Sequence, residues 1–297
     1  MAQATTKKFL YLVQSRGALP EIYRTIESAE ADLLRLTFKE QTDDAIFFPK
    51  STWTEGRNRL LQEALARGGD YLYYIFIDED IDFEKGGWRT FEQALDAYQP
   101  AVATPYYPRY RPSEGSLLDR EAQTVHSFDA MFNAFHRDVI HDRLLLPYYP
   151  GFDKTSWWYS NMIVIALSQV LYKRRVLQIN SVWIKNTEHG EYPQEKAWDE
   201  VMRWVETEVV NAGSSRPAAS RARQVLRAAR VRIANFVGEH ERLNRMLMTA
   251  VRALRREPRF TVAQRAAGPV SHRLPESEYR HLLKWDSAYW RERRGAR

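Results

Sequence analysis

Asp78-Glu79-Asp80, with Asp82 close behind, ends the apolar run Tyr71-Leu-Tyr-Tyr-Ile-Phe-Ile77. A run of that composition reads as a strand buried on both faces, as in the middle of a parallel sheet. Carboxylates crowded at the carboxyl end of such a strand repel one another and are costly to desolvate, so a divalent cation held there explains them best. The carboxyl ends of strands are also where open α/β sheets keep their ligands.

The elements that would position these carboxylates follow from patterning. Lys8 to Gln14 is a short apolar run, Leu19 to Leu34 has helical spacing with Pro20 suited to a first turn, and Ala45 to Phe48 is strand-like. Thr52 to Ala66 reads as a helix ended by Gly68-Gly69. The strand at 71–77, a helix at Trp88 to Tyr98 and strand-like segments at Ala101 to Tyr107 and Val176 to Ile184 come after it. Strands alternating with helices predict an α/β fold with a mostly parallel sheet flanked by helices. No internal repeat is evident.

The 297 residues, 44% of them hydrophobic, suffice for a full core. With no cysteine there is no disulfide framework, thiolate metal site or cysteine nucleophile. Met1 to Thr6 is polar, Phe9 to Val13 is too short for a signal-peptide core, and no run reaches the ~18 apolar residues of a membrane span. The expectation is a soluble cytoplasmic protein. The net charge of +6 is unevenly placed: residues 213–297 hold 20 Lys and Arg against 7 Asp and Glu, leaving −7 for residues 1–212. Asn211-Ala-Gly-Ser-Ser-Arg-Pro217 has linker composition, so the boundary is drawn there, between an acidic front at 1–212 and a basic tail at 213–297.

Taken together, Glu55-Gly-Arg-Asn-Arg-Leu-Leu-Gln-Glu-Ala-Leu65, then Gly69-Asp70, an apolar strand and Asp78-Glu79-Asp80 resemble nucleotide-sugar-dependent glycosyltransferases of the GT-A fold, family 2-like, with an Asp-x-Asp motif. The likeness covers roughly residues 8–107, is weak over 108–212 and does not extend to the tail. It implies a GT-A-like (Rossmann-like) catalytic domain that moves a sugar from a nucleoside-diphosphate sugar donor to an acceptor hydroxyl with Mn²⁺ or Mg²⁺. Asp80 is implied to hold the metal and Asp78 to contact it through water or to contact the ribose. Arg57 is implied to lie near the nucleotide, Glu79 counts with the donor contacts, and Gln14, Ser15 and Arg16 follow the first strand, where this fold meets the nucleobase. A late histidine completes the coordination in many such enzymes, which directs attention to His189; imidazole suits manganese better than magnesium.

Gly151-Phe-Asp-Lys-Thr-Ser-Trp-Trp-Tyr-Ser-Asn161 carries the acceptor expectation. Aromatic rings stack on the apolar faces of sugars, so Trp157 and Trp158 suit acceptor binding, and Asp153 is placed to deprotonate the acceptor hydroxyl as general base of an inverting reaction. The alternative is that both tryptophans are core and Asp153 is a helix N-cap beside Ser156. Asp129 is the rival base. The acceptor class is a lipid-linked glycan or polysaccharide.

Residues 218–256 form an amphipathic element whose apolar positions, from Leu226 to Leu254, fall within an arc of about 120°, flanked by arginines such as Arg223, Arg227 and Arg230. Its three readings are packing on the catalytic domain, attachment to an anionic membrane surface at the inner face, and binding of nucleic acid. Ser277 to Arg297, with Tyr279, Trp285, Tyr289 and Trp290, is either a short helix folded back or a second interfacial anchor. Other functions that fit the pattern are glycosyl transfer to nucleic acid, a metal-dependent nucleotidyltransferase, and a non-catalytic nucleic-acid-binding protein built on the tail.

Overall fold

The computed structural model describes residues 7–108, 118–125, 127–172, 174–188, 201, 203–211, 262–268, 270 and 272–295. His189, the 213–217 part of the linker and the amphipathic stretch 218–256 lie outside them. The chain divides into two compact units, one formed by residues 1–195 with 260–273 and the other by 196–259 with 274–297. Residues 260–273 return to the first unit, so this division does not fall at the composition boundary near 212.

The first unit is a mixed α/β sheet flanked by helices. Its strands are β1 (Phe9–Ser15), β2 (Ala31–Thr37), β3 (Ile46–Phe47), β4 (Tyr73–Asp78), β5 (Ile81–Lys85), β6 (Val102–Tyr106), β7 (Ala122–Thr124), β8 (Phe132–His136) and β9 (Val176–Asn186), and their order is β3-β2-β1-β4-β8-β6-β9-β5 with β7 beside β9. The parallel expectation holds from β3 to β4 and again between β6 and β9. Between these blocks β8 runs antiparallel to both β4 and β6, and β5 and β7 run antiparallel to β9. Helices α1 (Glu21–Arg24), α2 (Trp53–Ala66), α3 (Trp88–Tyr98), α4 (Arg137–Ile140) and α5 (Trp158–Leu171) complete the unit.

The helix expected over Leu19 to Leu34 is not formed. Only α1 is helical there, Ser28 Oγ accepts the amides of Glu30 and Ala31 at 3.1 Å in a side-chain turn, and β2 then pairs in parallel with β1 from Phe9↔Ala31 to Ser15↔Thr37. Satisfying seven residues of ladder outweighs a local helical period. Helix α2 starts as its sequence reads: the Thr52 hydroxyl accepts from the Glu55 amide and the Glu55 carboxylate from the Thr52 amide, a capping box, and it ends before Gly68, whose φ of 67° favours glycine. Gly86 is held more tightly, because at φ 72° a Cβ would lie 2.7 Å from the Ser181 carbonyl oxygen on β9.

The core is aromatic. Trp88 at the start of α3 meets Tyr11 at 5.6 Å, Phe83 at 4.5 Å and Phe132 at 5.9 Å, tying β1, β5 and β8 to one helix. Burial of such rings, roughly 150–250 Å² each, is the main driving force for this layer. In the second unit, Trp290 on the helix α6 (Ala288–Gly295) is fully buried, donates to the Val209 carbonyl at 3.2 Å, and packs on Trp285 at 5.1 Å and Tyr289 at 4.9 Å. The terminal aromatics thus pack into a small core within their own unit. No described helix is long and apolar enough to cross a membrane.

Candidate active site

Parallel strands β1 and β4 pair through Gln14↔Asp78 at their carboxyl ends, and a cleft of about 550 Å³ opens there. Gln14, Arg16, Asp78, Glu79, Asp80, Asp129, Trp157 and Trp158, all singled out from sequence, line it together. Residues that the sequence did not signal line it too, among them Lys39, Trp53, Tyr107, Asn186 and Glu188.

Each acidic side chain has a different setting. Asp78 Oδ1 accepts from the Arg57 guanidinium at 2.6 Å and from the Trp53 indole at 3.1 Å. Arg57 is only 1% exposed and its guanidinium lies over the rings of Trp53 at 4.6 Å and Phe76 at 5.3 Å. It therefore sits behind Asp78 as an anchor, not on the cleft wall. Its neighbour Asn58 donates to the Tyr148 carbonyl and accepts from the Tyr148 amide, both at 2.8 Å, so the Arg57-Asn58 pair fixes the strand end on one side and the 148 segment on the other.

Glu79 accepts from the Arg16 amide at 2.8 Å, and the Arg16 guanidinium also pairs with Glu188 at 2.7 Å. Burial pushes the Glu79 carboxyl up, opposed by these Arg16 contacts. Asp80 is more exceptional: burial and the nearby Asp78 charge push its carboxyl up to about 7, and Oδ1 is buried with no hydrogen-bond partner among the described residues. Its backbone carbonyl accepts from the Thr187 amide at 2.8 Å, which ties the acidic turn to the end of β9.

The turn itself is held by a residue that sequence reading missed. The Tyr23 hydroxyl donates to the Asp78 carbonyl at 2.6 Å and accepts from the Ile81 amide at 3.0 Å, clasping both ends of the acidic triplet. Nothing local marks Tyr23, which lies 55 residues from Asp78 in the chain. Tyr23→Phe is expected to lower stability by about 1–2 kcal/mol in urea denaturation, the cost of two buried polar groups losing one partner. An unchanged midpoint would show that water replaces the hydroxyl.

The two candidate bases separate cleanly. Asp153 is not on the cleft wall: it is buried, accepts a short hydrogen bond from the Thr52 hydroxyl and follows the turn Pro150–Phe152. Burial pushes its carboxyl up, opposed by the hydroxyls of Thr52 and Thr54. Nor is it the N-cap of α5, a position taken by Trp157. Asp129 does line the cleft; burial raises its carboxyl to about 7, while Oδ1 accepts from the Met131 amide at 2.9 Å. Trp157 and Trp158 are both part-exposed on the cleft wall and so are not core residues.

Among the described residues, three His, Asp or Glu ligand atoms come within 4.8 Å of one another in one group, His136, Asp138 and His272. The acidic triplet does not converge in this way, since Arg57 holds Asp78 and Arg16 holds Glu79. What the cleft offers a cation is the orphaned oxygen of Asp80, with the Asp78 charge nearby.

No family model and no curated protein matches the chain. Solved structures similar to it include S. aureus TarS 1-349 in complex with UDP-GlcNAc, at 12% identity over 67% of this chain and 65% of that one with a TM-score of 0.42. A197 from STIV is similar at 14% identity over 61% of this chain and 86% of that one, TM-score 0.39. The chain spans just under two thirds of the length of TarS 1-349.

Proposed function

We propose that this chain transfers a sugar from a nucleoside-diphosphate sugar to an acceptor hydroxyl, using a divalent cation held by Asp80 and Asp78. The observation that carries the proposal is Asp80 Oδ1, a buried carboxylate oxygen without a partner among the described residues, in a cleft at the carboxyl ends of parallel strands. A hard cation is the natural occupant for such an oxygen, and carboxylates with substrate phosphates are how Mg²⁺ and Mn²⁺ are commonly bound. When bound, the cation would neutralise the negative charge that grows on the departing diphosphate.

The remaining roles fall to this chain's own side chains. Arg57 and Trp53 fix Asp78, so the oxygen facing donor or cation is oriented before anything binds. Trp157 and Trp158 present ring surface for the sugar or acceptor. Asp129 takes the proton from the acceptor hydroxyl; a carboxyl near 7 is matched to that task at neutral pH, and Asp153, engaged with Thr52 off the cleft wall, is less suited. One displacement by the deprotonated hydroxyl inverts the anomeric centre. The proposed acceptor is a glycan or lipid-linked glycan.

The test is incubation with a panel of nucleotide sugars, glycan acceptors and Mn²⁺, reading nucleoside diphosphate release and the anomeric configuration of the product. Inversion is expected, and Asp129→Asn is expected to lower kcat roughly 10²–10⁴-fold with nucleotide binding kept. Retention of configuration would remove the single-displacement base, and release of pyrophosphate would make the enzyme a nucleotidyltransferase.

A further inference from the structure

A second polar cluster lies at the opposite end of the sheet. His136, the last residue of β8, pairs with Tyr73 at the start of β4, whereas Asp78 ends that strand, so five residue steps separate the two ends, roughly 16 Å. Asp138 is in the first turn of α4, and His272 comes from the returning segment 260–273 of the same unit. The two imidazoles lie 4.0 Å apart between ring centroids, with His272 3% and His136 6% exposed.

The hydrogen bonding of His272 is the informative detail. Nε2 lies 2.9 Å from the Gln99 carbonyl oxygen, an acceptor, so Nε2 carries the proton. In a neutral ring, Nδ1 then presents its lone pair to Asp138 Oδ2 at 3.0 Å, acceptor against acceptor. His136 Nδ1 lies 3.5 Å from the same oxygen and accepts from the Asp138 amide at 3.2 Å, the N-cap bond of α4, which it would give up to hold an ion. The ligand atoms of His136, Asp138 and His272 thus all lie within 4.8 Å of one another. A histidine whose outer N–H is donated to a backbone carbonyl while its other nitrogen faces a carboxylate and a second histidine has the orientation of a metal ligand. Ligands at ~2.0–2.2 Å from a tetrahedral ion are about 3.3–3.6 Å apart, so the 3.5 Å pair fits as it stands and the 3.0 Å pair would open by a few tenths of an ångström.

We propose that His136, Asp138 and His272 bind Zn²⁺, or a similar borderline divalent cation, as a site separate from the cleft. Its effect is structural: it clips residue 272 to residue 138 across 134 residues of chain and fastens the returning segment to the sheet. Nitrogen and carboxylate ligands favour this class over Mg²⁺ or Ca²⁺. The half-exposed Asp138 side chain gives the ion a route in and leaves room for a water in the fourth position.

Co²⁺ titration into the metal-stripped protein tests the site, since tetra-coordinate Co²⁺ absorbs in the visible and Asp80 is not involved. Wild type and Asp80→Asn are expected to give the same spectrum at one ion per chain; His272→Ala and Asp138→Asn are expected to lose it. Zn²⁺ at a hundredfold excess over Kd is expected to raise Tm by about 5–10 °C in wild type but not in Asp138→Asn, whose half-exposed position makes it the safer variant to fold. No visible spectrum in wild type, or a spectrum kept in Asp138→Asn and His272→Ala, would overturn the proposal.

Discussion

Asp80→Asn is expected to abolish metal-dependent nucleotide binding while making the protein more stable. The carboxyl stands at about 7 in the fold against an ordinary value near 4, because burial and Asp78 disfavour its charge. The unfolded chain therefore ionises first as pH rises, and wild-type stability falls between about pH 4 and pH 7, the range between the two values. Below pH 4 both states are protonated and the two proteins should be alike. Above pH 7 the amide is expected to be favoured by about 2 kcal/mol, a figure reduced for the partial solvent contact of Asp80. By the same linkage, a cation must displace this proton, so metal affinity should rise through pH 7. Urea denaturation at pH 4.5 and 8 measures the first effect; a mutant less stable than wild type at pH 8 would mean that Asp80 serves the fold instead of a ligand.

Arg57→Met is expected to cost about 3 kcal/mol, at the lower end for breaking a buried ion pair because Asp78 keeps some access to water. Methionine retains most of the packing against Trp53 and Phe76, so the loss reports charge and hydrogen bonding more than volume. Adding Asp78→Asn to it should recover at least about 1 kcal/mol, since the neutral amide no longer needs a cation. Additivity of the two substitutions in a double-mutant cycle would refute the anchoring role. Nucleotide affinity should fall as well, since Asp78 would lose the donor that orients it.

The parts of this site that were legible in sequence are those with local signatures. The apolar run into Asp78-Glu79-Asp80 gave the strand end, and the helical period from Thr52 to Ala66 before Gly68-Gly69 gave α2. The paired tryptophans of 151–161 stand out in sequence, and both line the cleft. What stayed hidden depends on distant partners. Asp153 and Asp129 look alike in sequence, and what holds Asp153 off the cleft wall includes Thr52, 101 residues away in the chain. Arg57 read as a nucleotide contact, but its role as a buried anchor depends on Asp78 and two aromatic faces. Strand β8 could not be foreseen as the antiparallel element between β4 and β6, because nothing in Phe132 to His136 specifies strand direction.

The most direct test of the central claim is calorimetric titration of a panel of nucleoside diphosphates into wild type and Asp80→Asn, with Mn²⁺ and with chelator. Saturable binding of one nucleotide that requires Mn²⁺ and is lost in the variant is the expected result. Binding of no nucleotide by wild type under either condition, or equal binding by the variant, would contradict it.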